Sequence, residues 1–417
     1  MHQPQCVDDF LAHVDVRIPS HRAIRVRRYV ERLFAKTLKL ASDGTVFVLT
    51  GDIAAMWIRD STWQVLPLLD FAPDVELQQL IGAVSRRQAK YLSIDPYANA
   101  FNEFASGQRW HKDFEDQSDW VFERKFELDS WSTFFELALS LYERTGYDAH
   151  LDADFWKTTE RILQLCQDEQ RHNPASYRFV RHLAPAHDYL THDGYGAPVK
   201  YTGLVWSAFR PSDDRCVYGY HVPANAHLAA TLRRLATVGH SFARHDLAEL
   251  AEDLAGQIAD ALNREVMTHG RYPYELDGLG NAIFMDDPNI PSLLALPELG
   301  WCKKDQPEYL DTRAWILSDE HPYYVTANGF SGLASDHTPA GHIWPLSIAM
   351  QGLTSRTVDE AISCLEMLEA SDGQTGDMHE SFNCADPSDF TRSWFSWADM
   401  TYVQLVLRTY SAELSRN

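Results

Sequence analysis

The chain of 417 residues contains no apolar run of the roughly 18 residues that a membrane-crossing helix needs. Basic charge is also scarce: 37 Lys and Arg face 59 Asp and Glu, for a net charge of −22. Such a balance repels phosphate backbones and argues against a nucleic-acid partner. The cysteines Cys6, Cys166, Cys216, Cys302, Cys364 and Cys384 are scattered, with no CxxC pair and no zinc-type spacing, so neither a disulfide framework nor a structural zinc is expected. A GxGxxG after a strand, a GxxxxGK[ST] and a GxSxG are all missing, which removes the physical parts of dinucleotide, P-loop and hydrolase-elbow chemistry. The opening MHQPQCVDDFLAHVDVRIPS lacks the basic start and apolar stretch of a secretory leader. A cytoplasmic protein in a reduced compartment, without a membrane partner, is the expectation; oligomeric state is left open.

Aromatic residues and helical periodicity are abundant. Twelve Trp, 18 Tyr and 20 Phe suit either a large core or a cleft lined with rings. In residues 130–144, Trp131, Phe134, Phe135, Ala138, Leu141 and Tyr142 recur at three- and four-residue steps, which predicts a helix with one apolar face. Similar patterns run over 21–42, 75–92, 151–169, 223–238, 240–263, 342–352, 358–370 and 397–412. Weaker ones at 61–69, 292–299 and 310–317 bring the expected number of helices to about twelve. Alternating patterns are short, as at 45–49 and 177–180, and suit minor hairpins. The fold class is therefore all-α. Long stretches rich in Gly, Pro, Asp and aromatics, at 95–119, 172–222, 268–291, 321–341 and 371–396, separate the helices, and loops of that length are usually functional. Paired helices closing a ring, with the long loops gathered at one mouth, satisfy both observations. No break in composition divides the chain, so residues 1–417 are expected to form a single domain, with 173–200 as the one candidate insertion.

Four stretches carry candidate chemistry. In SAFRPSDDRCVYGYHVPAN, Asp213 and Asp214 are adjacent carboxylates among Trp206, Phe209, Tyr218 and Tyr220. A carboxyl held among aromatics beside a like charge takes up a proton more readily, as a general acid working near neutrality must. The alternative is that one of the pair caps a turn or meets Arg210 or Arg215. In DGQTGDMHESFNCADPSDFTRSWFSWADM, Glu380 follows a Gly-rich turn, with His379 and Asn383 placed to orient water or a sugar hydroxyl. Two acids on separate loops are what glycoside hydrolysis needs: one protonates the leaving oxygen, the other activates water or attacks the anomeric carbon. In WVFERKFELDSW, Glu127 and Asp129 either accept hydrogen bonds from sugar hydroxyls or, in the case of Asp129, cap the following helix. NGFSGLASDHTPAGHIWPL holds His337 and His342, but neither has a partner at metal-site spacing, so no metal and no cofactor are expected.

A further oddity is TGDIAAMWIRDSTWQVLPLL, residues 50–69, where Asp52, Arg59 and Asp60 interrupt an otherwise apolar run. Burying unpaired charge costs several kcal/mol, so these residues need partners. Asp60 is placed to cap a short helix starting at Ser61. The functional expectation is that Asp52, Arg59 and Asp60 form the floor of a sugar pocket, with Arg59 holding the carboxylates and Trp57 as a packing or stacking surface.

Taken in order, TGDIAAMWIRDST, FERKFELDS, RPSDD with YGYHVPAN, HIWPL with AMQGLT, and MHESFN with TRSWFSWA resemble glycoside hydrolase family 125, the exo-α-1,6-mannosidases, across most of the chain. The resemblance implies an (α/α)6 barrel of about twelve helices and release of terminal mannose from an α-1,6-linked mannoside, by an inverting mechanism without a metal. By motif, Glu380 looks like the general base, and one aspartate of Asp213 and Asp214 like the general acid; the choice made here is Asp213, with Asp214 and Arg210 contacting substrate. Inversion implies carboxyl groups about 6.5 to 9.5 Å apart. Ala54 and Ser393 stand where the family's pattern has proline. Two other readings stay open: a sugar epimerase using His337 or His379, and a non-catalytic glycan-binding protein.

Overall fold

A computed structural model describes residues 1–113, 116–172, 177–181 and 184–415. Fourteen α-helices are found among these residues, two of them only four residues long, and every strand is short. Contacts divide the chain into two compact units: residues 1–87, 140–150 and 323–417 form the first, and residues 88–139 and 151–322 the second.

The first unit is built around the helix Ser396–Thr409. Eleven of its residues are buried, among them Trp397, Met400, Tyr402, Val403, Leu405 and Val406. A helix apolar on all sides needs cover on all sides. It packs against Ser20–Arg32, Ile58–Val65, Pro345–Leu353 and Val358–Ala370. Three small antiparallel arrangements complete the unit. Leu38–Leu40 pairs with Val46–Val48, Tyr324–Ala327 with Phe330–Leu333, and Ser381–Asn383 lies between His342–Ile343 and Asp386–Thr391. The second of these turns on Asn328 and Gly329, at φ +51° and +86°, the left-handed pair that a two-residue hairpin loop requires.

In the second unit the helices Val222–Ser241 and His245–His269 form a hairpin with a three-residue connection. The latter also packs on Ala153–Arg171. Asp152 caps that helix by accepting from the Phe155 N–H at 3.0 Å, and Gly270, at φ +72°, ends His245–His269. Ala100–Phe101 pairs with Val121–Glu123, and Glu275–Leu276 lies between Tyr220–His221 and Ala282–Ile283.

Several boundaries differ from the periodicity. The helix expected over 21–42 stops at Arg32, widens into a π turn over Leu33–Thr37 and continues as a strand, because Leu38 to Leu40 find ladder partners. No helix forms at 292–299. There, Asp286 takes the N–H groups of Leu293 and Leu294 at 2.8 and 2.9 Å, and Pro291 and Pro297 withhold donors. Residues 177–180 form no strand, and the helix expected from 342 begins at Pro345 because His342 and Ile343 pair with Asn383 and Phe382. Gln5–Arg17 was not expected as a helix. Its inward face carries only Val7, Leu11 and Val14.

Candidate active site

Three acidic residues of the second unit converge on one amide. Phe126 accepts the N–H groups of Ala208 and Phe209 at 3.1 and 3.0 Å, which sets the 207–215 loop beside residues 123–129. Asn99, at the start of the 100–123 hairpin, is fully buried, and its Nδ2 donates to Glu123 at 3.2 Å, Glu127 at 3.2 Å and Asp213 at 3.1 Å. Two N–H groups shared by three carboxyls favour a proton among them. Burial, and then the charge of Asp213, raise the pKa of Glu123, against the pull of Lys125 and Arg181. Asp213 is half-buried and sits in the left-handed region at φ +67°. Asp214 is buried, and its carbonyl accepts from the Arg210 N–H at 2.7 Å.

Arg210 does not find its charge partner in either aspartate's loop position. Its Nε lies 2.5 Å from Glu275, whose other oxygen takes the N–H groups of Val217 and Tyr218 at 2.8 and 2.9 Å. Asp129 opens the helix Asp129–Thr145 and is fully buried, its carbonyl accepting from the hydroxyls of Ser132 and Thr133. Glu127 is 1% exposed.

In the first unit, Glu380 precedes the strand Ser381–Asn383 and is 13% exposed. Arg392, at the far end of that hairpin, has Nη1 3.6 Å from Glu380, Nε 2.7 Å from Asp52 and Nη2 2.7 Å from the Thr50 carbonyl. Its guanidinium lies 4.8 Å over the Phe395 ring. Asp52 is thus paired with Arg392 instead of Arg59. The seven-residue helical spacing between Asp52 and Arg59 does not apply, since the helix begins at Ile58. Asp60 falls in its first turn instead of capping a helix at Ser61, and pairs with Arg59 at 3.4 Å. Both are 3% exposed, with the Arg59 guanidinium 5.6 Å from the Trp397 ring. Trp57 is 5% exposed, so it packs more than it offers a face.

The histidines are placed differently from expectation. His379 is buried and stacks on Phe390 at 3.6 Å. Its Nδ1 meets the Arg392 carbonyl at 2.9 Å and its Nε2 the Thr375 hydroxyl at 3.1 Å, so both nitrogens serve their own loop and neither is left to orient water or a hydroxyl. Asn383 is likewise engaged inside its hairpin: its amide donates to Asp389 at 3.0 Å and its oxygen accepts from the Ala385 N–H. His337 is exposed, its ring 6.3 Å from that of Trp344. His342 is buried and reaches Ser381 at 3.3 Å.

Sequence reasoning missed Asn99, Glu123, Lys125, Arg392 and Asp399. The charges of Glu123 and Lys125 lie within the aromatic stretch WVFERKFELDSW and carried the same signal as Glu127. Asp399 lies inside a helix with no outward sign of its task. It accepts from the Met378 N–H at 3.2 Å and the Trp394 indole at 2.9 Å, and it is also bonded to Arg32. Burial raises its pKa to about 7 despite Arg32. Among the described residues no three His, Cys, Asp or Glu side chains cluster to hold a metal, and no helix is long and apolar enough to cross a membrane.

A solved Streptococcus pneumoniae protein, from a family described as metal-independent alpha mannosidases and captured as a non-productive complex with alpha-1,6-mannobiose, superposes with a TM-score of 0.95 at 38% identity, covering 98% of this chain and 99% of that one. A bacterial glucoamylase bound to acarbose matches at TM-score 0.58 and 13% identity over 86% of this chain and 49% of its own, which speaks to the fold alone. The fold class is thus that of the (α/α)6 glycosidases, all-α with minor hairpins. The sequence profile of the metal-independent alpha-mannosidases, GH125, matches residues 24–407, and the chain belongs to that family. A Schizosaccharomyces pombe protein, the meiotically up-regulated gene 157 protein, is 37% identical over 390 residues, 86% of this chain and 76% of its own length.

Proposed function

We propose that this α-mannosidase is exo-acting, releases terminal mannose from α-1,6-linked mannosides, and inverts the anomeric centre, with residues 1–417 working as a single catalytic domain. The likeness to the S. pneumoniae protein held with alpha-1,6-mannobiose carries the reading of linkage. Asp213 is the general acid: it gives its proton to the glycosidic oxygen as the bond to the anomeric carbon breaks. Its half-exposed carboxyl, tied to Asn99 beside Glu127 and Glu123, suits this role better than the buried Asp214. Glu380 is the general base: it takes a proton from the water whose oxygen bonds to the anomeric carbon. Its only partial exposure and the Arg392 guanidinium 3.6 Å away favour a carboxylate held in a fixed position. Asp52, Arg59, Asp60, Glu127 and Asp129 supply acceptors and donors for the sugar hydroxyls.

An epimerase would call on His337 or His379 as acid and base, and of these His379 has both nitrogens engaged within its own loop. The free cysteines suit a reducing compartment, and we place the enzyme in the cytoplasm. Incubation with α-1,2-, α-1,3- and α-1,6-mannobiose, followed by NMR, tests the whole reading. The expected result is β-mannose released first, from the α-1,6 isomer in preference. Initial release of α-mannose would overturn inversion, and equal rates on the three isomers would overturn the linkage preference.

A further inference from the structure

Lys125 is a cation buried to 3% exposure that the mechanism above leaves without a task. Its ammonium lies 2.6 Å from Asp188, 3.8 Å from Glu123 and 5.2 Å from the centre of the Phe209 ring. These two carboxylates already offset the charge that burial makes costly. A further hydrogen bond, at 2.7 Å, goes to a neutral acceptor: the backbone carbonyl of Asp213.

That acceptor is unusual in one respect. Asp213 stands at φ +67°, where a residue with a side chain adopts the left-handed region at a cost and stays only if its surroundings hold it. The Asp213 N–H donates to the Arg210 carbonyl at 3.0 Å, and Lys125 takes the other side of the same residue. The carboxyl end is tied to Lys125 as well. The backbone N–H of Lys125 donates to Asn99 Oδ1 at 3.2 Å, and Asn99 Nδ2 donates to Asp213 Oδ1 at 3.1 Å. Lys125 therefore meets Asp213 twice, directly at the main chain and through one amide at the side chain. The ammonium's carboxylate partner is itself held on its other side. Asp188 also takes two 2.9 Å contacts from Arg181, which reaches Asp113 at 2.7 Å and Glu123 at 3.0 Å.

We infer that Lys125 is a positioning residue for the general acid, holding the strained turn at Asp213 so that its carboxyl points at the leaving oxygen. The inference rests on the assignment of Asp213 as that acid. It predicts a dependence on the leaving group: a residue that acts through proton donation matters most when the departing alcohol is poor, whereas loss of fold or of sugar binding harms all substrates alike.

The test compares kcat/KM on α-1,6-mannobiose with that on 2,4-dinitrophenyl α-mannoside, whose phenolate departs with little protonation. Lys125→Met is expected to lose about tenfold or more on the disaccharide and less than about threefold on the aryl mannoside, with Asp213→Asn showing the same pattern more strongly. Equal losses on both substrates, or none on either, while Asp213→Asn stays selective, would overturn the role of Lys125 and leave the acid in place. If instead Asp214→Asn is the selective variant and Asp213→Asn is not, the acid assignment fails and the inference fails with it. Should Lys125→Met not fold, the double variant Lys125→Met/Asp188→Asn also removes the carboxylate nearest the lost ammonium, 2.6 Å from it in the wild type. The same ratio, measured against Asp188→Asn alone, then decides.

Discussion

Arg392 binds Asp52 across 340 residues of chain, its Nε 2.7 Å from the carboxylate, and with the same guanidinium approaches Glu380. One side chain thereby connects the turn expected to meet the sugar with the carboxylate expected to activate water. Arg392→Met should lower kcat by about tenfold or more on natural and aryl mannosides alike, because attack by water is needed for both. Steady-state kinetics on the two substrates check it, and a loss confined to the disaccharide would place Arg392 with the acid instead.

Glu380→Gln should nearly abolish turnover, since the amide cannot accept the proton from water, while leaving mannobiose binding within a few-fold of wild type. Calorimetry on the inactive variant measures that binding. Turnover like that of wild type would remove Glu380 from the role of base.

Asp399 predicts a signature in stability. Its folded pKa, about 7, lies above the 3.8 of a free aspartate, so between those values the folded state holds a proton that the unfolded state releases. Stability from this group is full below about pH 4, declines as pH rises towards 7 and is level above, by up to about 4 kcal/mol. Asp399→Asn carries no such titration, so the difference in unfolding free energy between the two proteins should fall over that window. A difference independent of pH would show that the carboxyl is ionised throughout. Because Asp399 receives the N–H of Met378, two residues before Glu380, the substitution should also reduce kcat more than it changes KM.

Asp60 separates pocket from scaffold. Asp60→Asn keeps its size and place in the first turn of Ile58–Val65. If Asp60 meets a sugar hydroxyl, KM should rise about tenfold with little change in melting temperature. Unchanged kinetics with a lower melting temperature would assign it to the helix terminus and the Arg59 pair alone.

Helices were legible in the sequence where the apolar stripe was dense, and Gln5–Arg17, with only three inward apolar residues, was not. Val358–Ala370 begins and ends where its periodicity does. Legibility failed where tertiary partners captured backbone groups, as Asp286 does with Leu293 and Leu294, and where a strand ladder claimed Leu38 to Leu40. The candidate acids stood out because carboxylates among aromatics violate the ordinary pattern of burial. The residues that support them did not. Arg392 looks like any loop arginine, yet lies at φ +54°, and Asp399 occupies a helical position that periodicity treats as unremarkable. Pairings such as Arg392 with Asp52 join positions whose proximity no local pattern encodes. His379 shows the converse: a histidine beside a candidate base read as chemistry, but its nitrogens close the loop that carries the base.

The first unit gathers its pieces from both halves of the polypeptide, whereas the second is complete once residue 322 has been made. During synthesis the segments bearing Asp52 and Asp60 leave the ribosome long before the helix Ser396–Thr409 that they pack around and the arginine that pairs with Asp52. Those early apolar segments lack this cover until residues 396–409 have been made. Slow growth of the chain through residues 323–395 therefore prolongs that interval, and a stop between residues 323 and 379 leaves a polypeptide with the proposed acid, Asp213, and without the proposed base, Glu380.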